Sequence, residues 1–165
     1  MLKGLHTLRN GFSTSWPATS PRKYSLDKGD FELNMKILDF QIMAGVDPGQ
    51  LDMGNARVLF VIATTAQGAT PQAVVGSSLE EESYQFRFND DSQIAWGSIE
   101  AGMGSQTILD PGHIIPGDLY VNAWTITTGG TPNPLLCPVS YLITMGQVKG
   151  SGAESLLYQV KLVSD

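Results

Sequence analysis

The 165-residue sequence has a single cysteine, Cys137, between Leu136 and Pro138. One thiol excludes an internal disulfide framework and any metal site built from several thiolates. Histidine is nearly as scarce, with only His6 and His113, so a site that needs several imidazoles around one ion lacks its ligands. Charge is low too: Asp, Glu, Lys and Arg make up 16% of the chain, against roughly 25% in ordinary soluble proteins. The surface is therefore built mainly from uncharged polar groups and apolar atoms, and much of it is expected to meet other protein. No apolar run approaches ~18 residues and no continuous apolar segment follows the first basic residue, so neither a membrane span nor a secretory signal is expected. There is no Walker loop, no glycine-rich dinucleotide fingerprint and no paired-cysteine motif.

What the chain does have is glycine and proline, 18 and 9 residues, and a net charge of −6 that is unevenly spread. Residues 1–28 hold Lys3, Arg9, Arg22, Lys23 and Lys28 against Asp27 alone, which is +4; residues 29–165 hold five basic and fifteen acidic groups, which is −10. A basic head on an acidic body suggests a segment with its own partner, either nucleic acid or an acidic face of a neighbouring copy. The head also carries Gly4, Gly11, Pro17, Pro21 and a Ser/Thr cluster from Ser13 to Ser20, a composition that seldom builds a core element. It reads as an extended N-terminal arm, residues 1–28, ahead of one domain, residues 29–165. Leu2, Leu5, Leu8 and Phe12 recur at three- and four-residue spacing, so the start of the arm is compatible with a short amphipathic helix.

From residue 31 the apolar period becomes two, the signature of strands. Phe31, Leu33, Met35 and Ile37 share one phase and Leu38, Phe40 and Ile42 the other, which predicts a β-bulge or a sheet crossover near Ile37. Arg57 to Thr65 is apolar in both phases and reads as a central strand covered on both sides. Tyr84, Phe86 and Phe88 alternate with polar residues before a turn at Asn89 to Ser92. Further strands are expected at Gln93–Ile99, Gln106–Leu109, Leu119–Thr127, Val139–Val148 and Leu156–Val163. The last could also start a helix from the capping-box spacing of Ser151 and Glu154, but the alternation of Leu156, Tyr158, Val160 and Leu162 favours a strand. Eight short strands in about 135 residues, separated by Gly/Pro turns, predict an all-β protein: an eight-stranded jelly-roll β-sandwich.

Candidate chemistry is sparse. Asp110 and His113 lie three apart in a Pro/Gly turn, where a carboxylate could orient an imidazole; the plainer reading has Asp110 bonding its own turn and His113 capping a strand end. Glu81, Glu82, Asp90 and Asp91 are the densest carboxylates and the only weak candidates for a calcium contact between subunits, although their spacing matches no EF-hand loop. Chelation would then change assembly size or thermal stability. Trp16, Trp96 and Trp124 could stack sugars or bases, or simply pack in a core or interface. No convergent acid, base and nucleophile set exists, so an enzyme is not expected, and neither is a cofactor.

In its arm, its eight strands with long Gly/Pro loops and its weakly charged body, the chain resembles the small single-jelly-roll capsid proteins of simple icosahedral viruses. Locally, Asp110-Pro111-Gly112-His113-Ile114-Ile115 leading into Asp118-Leu119-Tyr120-Val121, then Val139-Ser140-Tyr141-Leu142-Ile143, is similar to late segments of such proteins. The resemblance implies a virion shell subunit, assembled in a host cell, whose partners are copies of itself and, through the arm, genomic nucleic acid. It implies no catalytic residue. The arm departs from the pattern in carrying few cations, since +4 over about 60 copies supplies only roughly 240 charges against one negative charge per nucleotide. A role linking subunits is therefore favoured, with Arg22 and Lys23 the first choices for phosphate contacts, and removal of residues 1–25 is expected to abolish regular particles. Two other classes fit the sequence: a carbohydrate-binding or adhesin sandwich using Trp96 or Trp124, and a minor spike or vertex protein of the virion.

Overall fold

The computed structural model describes residues 3–14, 22–26, 33–44, 56–66, 73–74, 83–84, 91–100, 104–115, 117–127, 133 and 137–149. Among them there is no helix; the elements are β1 (Lys3–Ser13), β2 (Arg22–Ser25), β3 (Leu33–Ala44), β4 (Ala56–Ala63), β5 (Ala73–Val74), β6 (Ser83–Tyr84), β7 (Gln93–Glu100), β8 (Gly104–Leu109), β9 (Asp118–Thr127) and β10 (Pro138–Lys149). One sheet runs β1-β10-β3, a second runs β2-β9-β4-β7-β8, and β5 pairs with β6 as a small hairpin. All pairings are antiparallel. The two larger sheets pack face to face as a β-sandwich, because alternate side chains of each make one apolar face that must be covered.

The core fills the space between them. Met35, Ile37, Phe40 and Ile42 of β3 and Val139, Tyr141, Ile143 and Met145 of β10 meet Val58, Phe60 and Ile62 of β4 and Leu119, Val121 and Ala123 of β9. Phe60 stacks on Phe40 with ring centroids 6.3 Å apart and tilts against Tyr141 at 5.5 Å, so one ring of the larger sheet meets two strands of the smaller, β3 and β10. Burying such a side chain contributes about 1.5–3 kcal/mol. At Gly97 of β7 the facing sheet leaves no room for a side chain: a Cβ there would lie 2.6 Å from Ile42 Cδ1 and 3.3 Å from Phe40 Cε2.

The strand expected to be covered on both sides is β4. Val58, Phe60 and Ile62 enter the main core, while Leu59, Val61 and Ala63 pack on the opposite face with Trp96, Trp124 and Ile126. The phase change near Ile37 is a bulge and not a crossover. Asp39 opposes Thr144 and Ile37 opposes Met145, so Leu38 is the extra residue; it turns outward, and Ile37 and Phe40 both face in. Strands expected at Gln93–Ile99, Gln106–Leu109, Leu119–Thr127 and Val139–Val148 correspond to β7, β8, β9 and β10. Of the strand around Tyr84 only Ser83 and Tyr84 are described, and Leu156–Val163 lies outside the described residues.

The segment read as an arm is different over the residues described. Lys3–Ser13 is neither helix nor free arm but an eleven-residue strand paired along its length with β10, and Arg22–Ser25 pairs with β9. In β1 the helical spacing of Leu5, Leu8 and Phe12 dissolves. Leu8 and Phe12 pack against the core, whereas Leu5 points away and is 71% exposed. Thr14, just past the strand, is completely buried. Its N–H donates to the Cys137 carbonyl at 2.8 Å, and its hydroxyl accepts the Cys137 N–H at 3.1 Å and bonds the Thr125 hydroxyl. Removing residues 1–25 therefore strips two strands from the sandwich, and loss of particles by that variant would follow from unfolding alone.

Candidate functional site

Of the five basic residues proposed for phosphate or neighbour contact, the three described with their side chains, Arg9, Arg22 and Lys23, do not gather into one patch. Lys3 opens β1, and Arg9 is exposed on the outer face of the smaller sheet, where it opposes Leu142. Arg22 and Lys23 are adjacent on β2, so period two sends them to opposite faces. Arg22 lies over the Phe12 ring at 6.0 Å, at the seam between the sheets. Lys23 is on the outside of the larger sheet, 2.7 Å from Asp118 and 5.8 Å from the Tyr120 ring centroid. Its hydrogen bond and charge interaction with Asp118 hold the ammonium above its ordinary pKa, and Lys23 holds the Asp118 carboxyl below its own. Lys28 lies outside the described residues. Arg9, Arg22 and Lys23 thus face three directions, and one of them is already paired.

What β1 and β2 do bring together is a polar seam. Tyr24 of β2 and Tyr141 of β10 bond through their hydroxyls, and the Asn10 side-chain amide of β1 donates to the Tyr24 oxygen at 3.1 Å. Phe12 meets the Tyr141 ring edge-on at 6.1 Å. Burial first, then the bond to Tyr24, pushes the Tyr141 phenol above its ordinary range. On the other side of β2, the Ser25 hydroxyl donates to Asp118 at 2.9 Å. This seam ties β1 and β2 to β9 and β10.

The Asp110–His113 pair is structural. Asp110 accepts the Gly112 N–H at 2.8 Å, closing its own turn. His113 is buried; its Nε2 accepts the Ile37 N–H at 2.8 Å, and its Nδ1 bonds the Asp110 carbonyl. The imidazole therefore satisfies a backbone group at the β3 bulge. Desolvation lowers its pKa, outweighing the opposing bond and charge of Asp110, with Lys36 adding to the lowering. Of the weak calcium candidates, Asp91 sits exposed in a turn while Glu81, Glu82 and Asp90 lie outside the described residues. Among the described residues no three His, Cys, Asp or Glu side chains come together as a metal site. Trp96 and Trp124 are 5% and 1% exposed, so neither presents a stacking platform, and Trp16 lies outside the described residues. Cys137 is a buried free thiol whose pKa burial raises.

The surface feature that sequence reasoning missed is the outer side of β1-β10-β3. Leu5, Met43 and Leu142, at 71%, 66% and 37% exposure, share it with Thr7, Arg9, Gln41 and Ser140. β1 is also an edge: among the described residues its only strand partner is β10. The signal was present from His6 to Ser13, where Leu8 and Phe12 alternate with Thr7, Arg9, Gly11 and Ser13. Comparison of the chain with protein-family models, curated proteins and solved structures finds no match.

Proposed function

We propose that the chain is a structural shell subunit, a single jelly roll that assembles with copies of itself into an icosahedral virion around a genome. The observation that carries this reading is the nesting of its strand pairs. The ten strands of the described residues, less the β5–β6 pair, leave eight. Of these the first pairs with the last (β1–β10), the second with the seventh (β2–β9) and the fourth with the fifth (β4–β7). The third is β3, and the stretch following the sixth, β8, reaches it through the Met35–Ile115 bridge. Such nesting is what one long antiparallel hairpin gives when wound around a core, and it supports a jelly roll over other sandwiches.

The assembly half of the reading draws on the low charge of the chain and on the exposed Leu5, Met43 and Leu142 on one sheet face, surface of the kind that subunit contacts use. The dispersed cations favour structure over genome neutralisation as the main task of residues 1–28. Electron microscopy of the purified full chain tests the proposal. Closed particles of uniform size are the expected result; isolated protomers at every concentration would overturn it.

A further inference from the structure

Among the described residues the edge of β1 away from β10 is unpaired, and it has a self-complementary stretch of limited length. Thr14 donates its N–H to Cys137 on the β10 side, and the register from Leu5 to Ser13 is unbroken. Backbone groups alternate sides along a strand, so Phe12, Asn10, Leu8 and His6 also direct theirs to β10. Leu5, Thr7, Arg9 and Gly11 direct theirs to the open edge. Two features close that edge at its ends. At one end the Gly11 N–H is taken by the Asn10 side chain at 2.8 Å. At the other, Gly4 adopts a φ of 76° and the register shifts between Lys3 and Leu5. Between these two features the run with both donor and acceptor open is Leu5, Thr7 and Arg9, with Thr7 at its centre.

We infer that β1 is a contact edge for a second copy of this chain, pairing antiparallel with the same strand across a two-fold axis at Thr7. This rests on the assembly reading above and names the surface it uses. In that register Thr7 faces its own counterpart and Leu5 faces Arg9 of the other copy, so three opposed pairs exchange two backbone bonds each. The composition suits this register. Thr–Thr is a favourable cross-strand pair. The exposed Leu5 side chain is covered by the alkyl stem of the opposing arginine. The two Arg9 charges lie four residues apart along the ladder instead of meeting, and like charges directly opposite would destabilise it. The product is a continuous sheet β3-β10-β1 joined to its symmetry mate, closed by two-fold symmetry.

Two variants of the full chain test this. Thr7→Pro deletes an N–H that faces away from β10, so the fold is kept and edge pairing is blocked; its circular dichroism should match wild type while its assembled mass falls. Thr7→Cys places two thiols across the axis, and a short bismaleimide should link them into covalent dimers. The wild-type chain, whose one thiol is buried, should give none. Wild-type particles accompanied by no Thr7→Cys cross-link, or by normal assembly of Thr7→Pro, would overturn the edge pairing and leave the assembly reading standing. A wild-type chain that never assembles would overturn both.

Discussion

Tyr24 and Tyr141, 117 residues apart in the chain, meet hydroxyl to hydroxyl across the seam between the two sheets. Asn10 completes the group, so three strands from the first and last parts of the chain depend on one another there. Tyr141→Phe keeps the ring contacts with Phe12 and Phe60 and removes the bond, at an expected cost of about 1 kcal/mol in denaturant unfolding. Tyr24→Phe should cost a similar amount, and the double variant less than the sum. The phenol of Tyr141 has a raised pKa through burial and the bond to Tyr24, so its contribution is complete below the unfolded value near 10 and is lost as pH climbs beyond it. Wild type should weaken above about pH 10 more steeply than Tyr141→Phe.

Acid should act through His113. Its lowered folded-state pKa, caused chiefly by burial, means that below about 6.5 the unfolded chain takes up a proton that the folded chain resists. Stability present above that pH is lost as pH falls from the unfolded value to the folded one. Protonation would also set a donor against the Ile37 N–H. Unfolding midpoints at pH 7.5 and 5.5 should differ in wild type and differ less in His113→Phe. That variant loses about 1–3 kcal/mol at neutral pH by leaving Ile37 unpaired.

Gly97 lies against the facing sheet with no room for a side chain. A methyl group there must displace Ile42, which is itself only 2% exposed and backed by Phe40. Gly97→Ala should therefore cost about 1–3 kcal/mol through overpacking. Thermal unfolding of Gly97→Ala beside the double variant Gly97→Ala/Ile42→Val, which removes the clashing atom, should show partial recovery.

Asn122 presents the opposite opportunity. It is 2% exposed on the outer face of β9, opposite Val61, and neither its amide nitrogen nor its oxygen finds a hydrogen-bond partner among the described residues. Desolvation without compensation costs about 1–3 kcal/mol. Asn122→Leu, with the same number and branching of side-chain heavy atoms, should raise the unfolding midpoint, and a lowered midpoint would contradict this.

How much of this could be read from the chain depended on whether a residue's position was set locally. The both-phase run of β4 and the change of phase around Ile37 are local patterns, and each marked a real feature of the sandwich. β1 was hidden because Leu5, Leu8 and Phe12 also fit a helical spacing and Gly4 and Gly11 argue against any regular element. Only pairing with β10, more than 120 residues away, selects the strand. β2 is four residues with no period to detect. The plainer reading of Asp110 and His113 followed from turn chemistry, but its partner at the Ile37 bulge lies 76 residues upstream. Tryptophan burial was likewise a matter of which sheet face each side chain shared.

On the proposed reading this sandwich joins to others like it in a symmetric assembly. Sedimentation velocity of the purified full chain over a range of concentrations addresses it most directly. A single fast boundary of many protomers that persists on dilution and is lost in Thr7→Pro is the expected result; one slow boundary with the mass of a lone protomer at all concentrations would overturn the proposal.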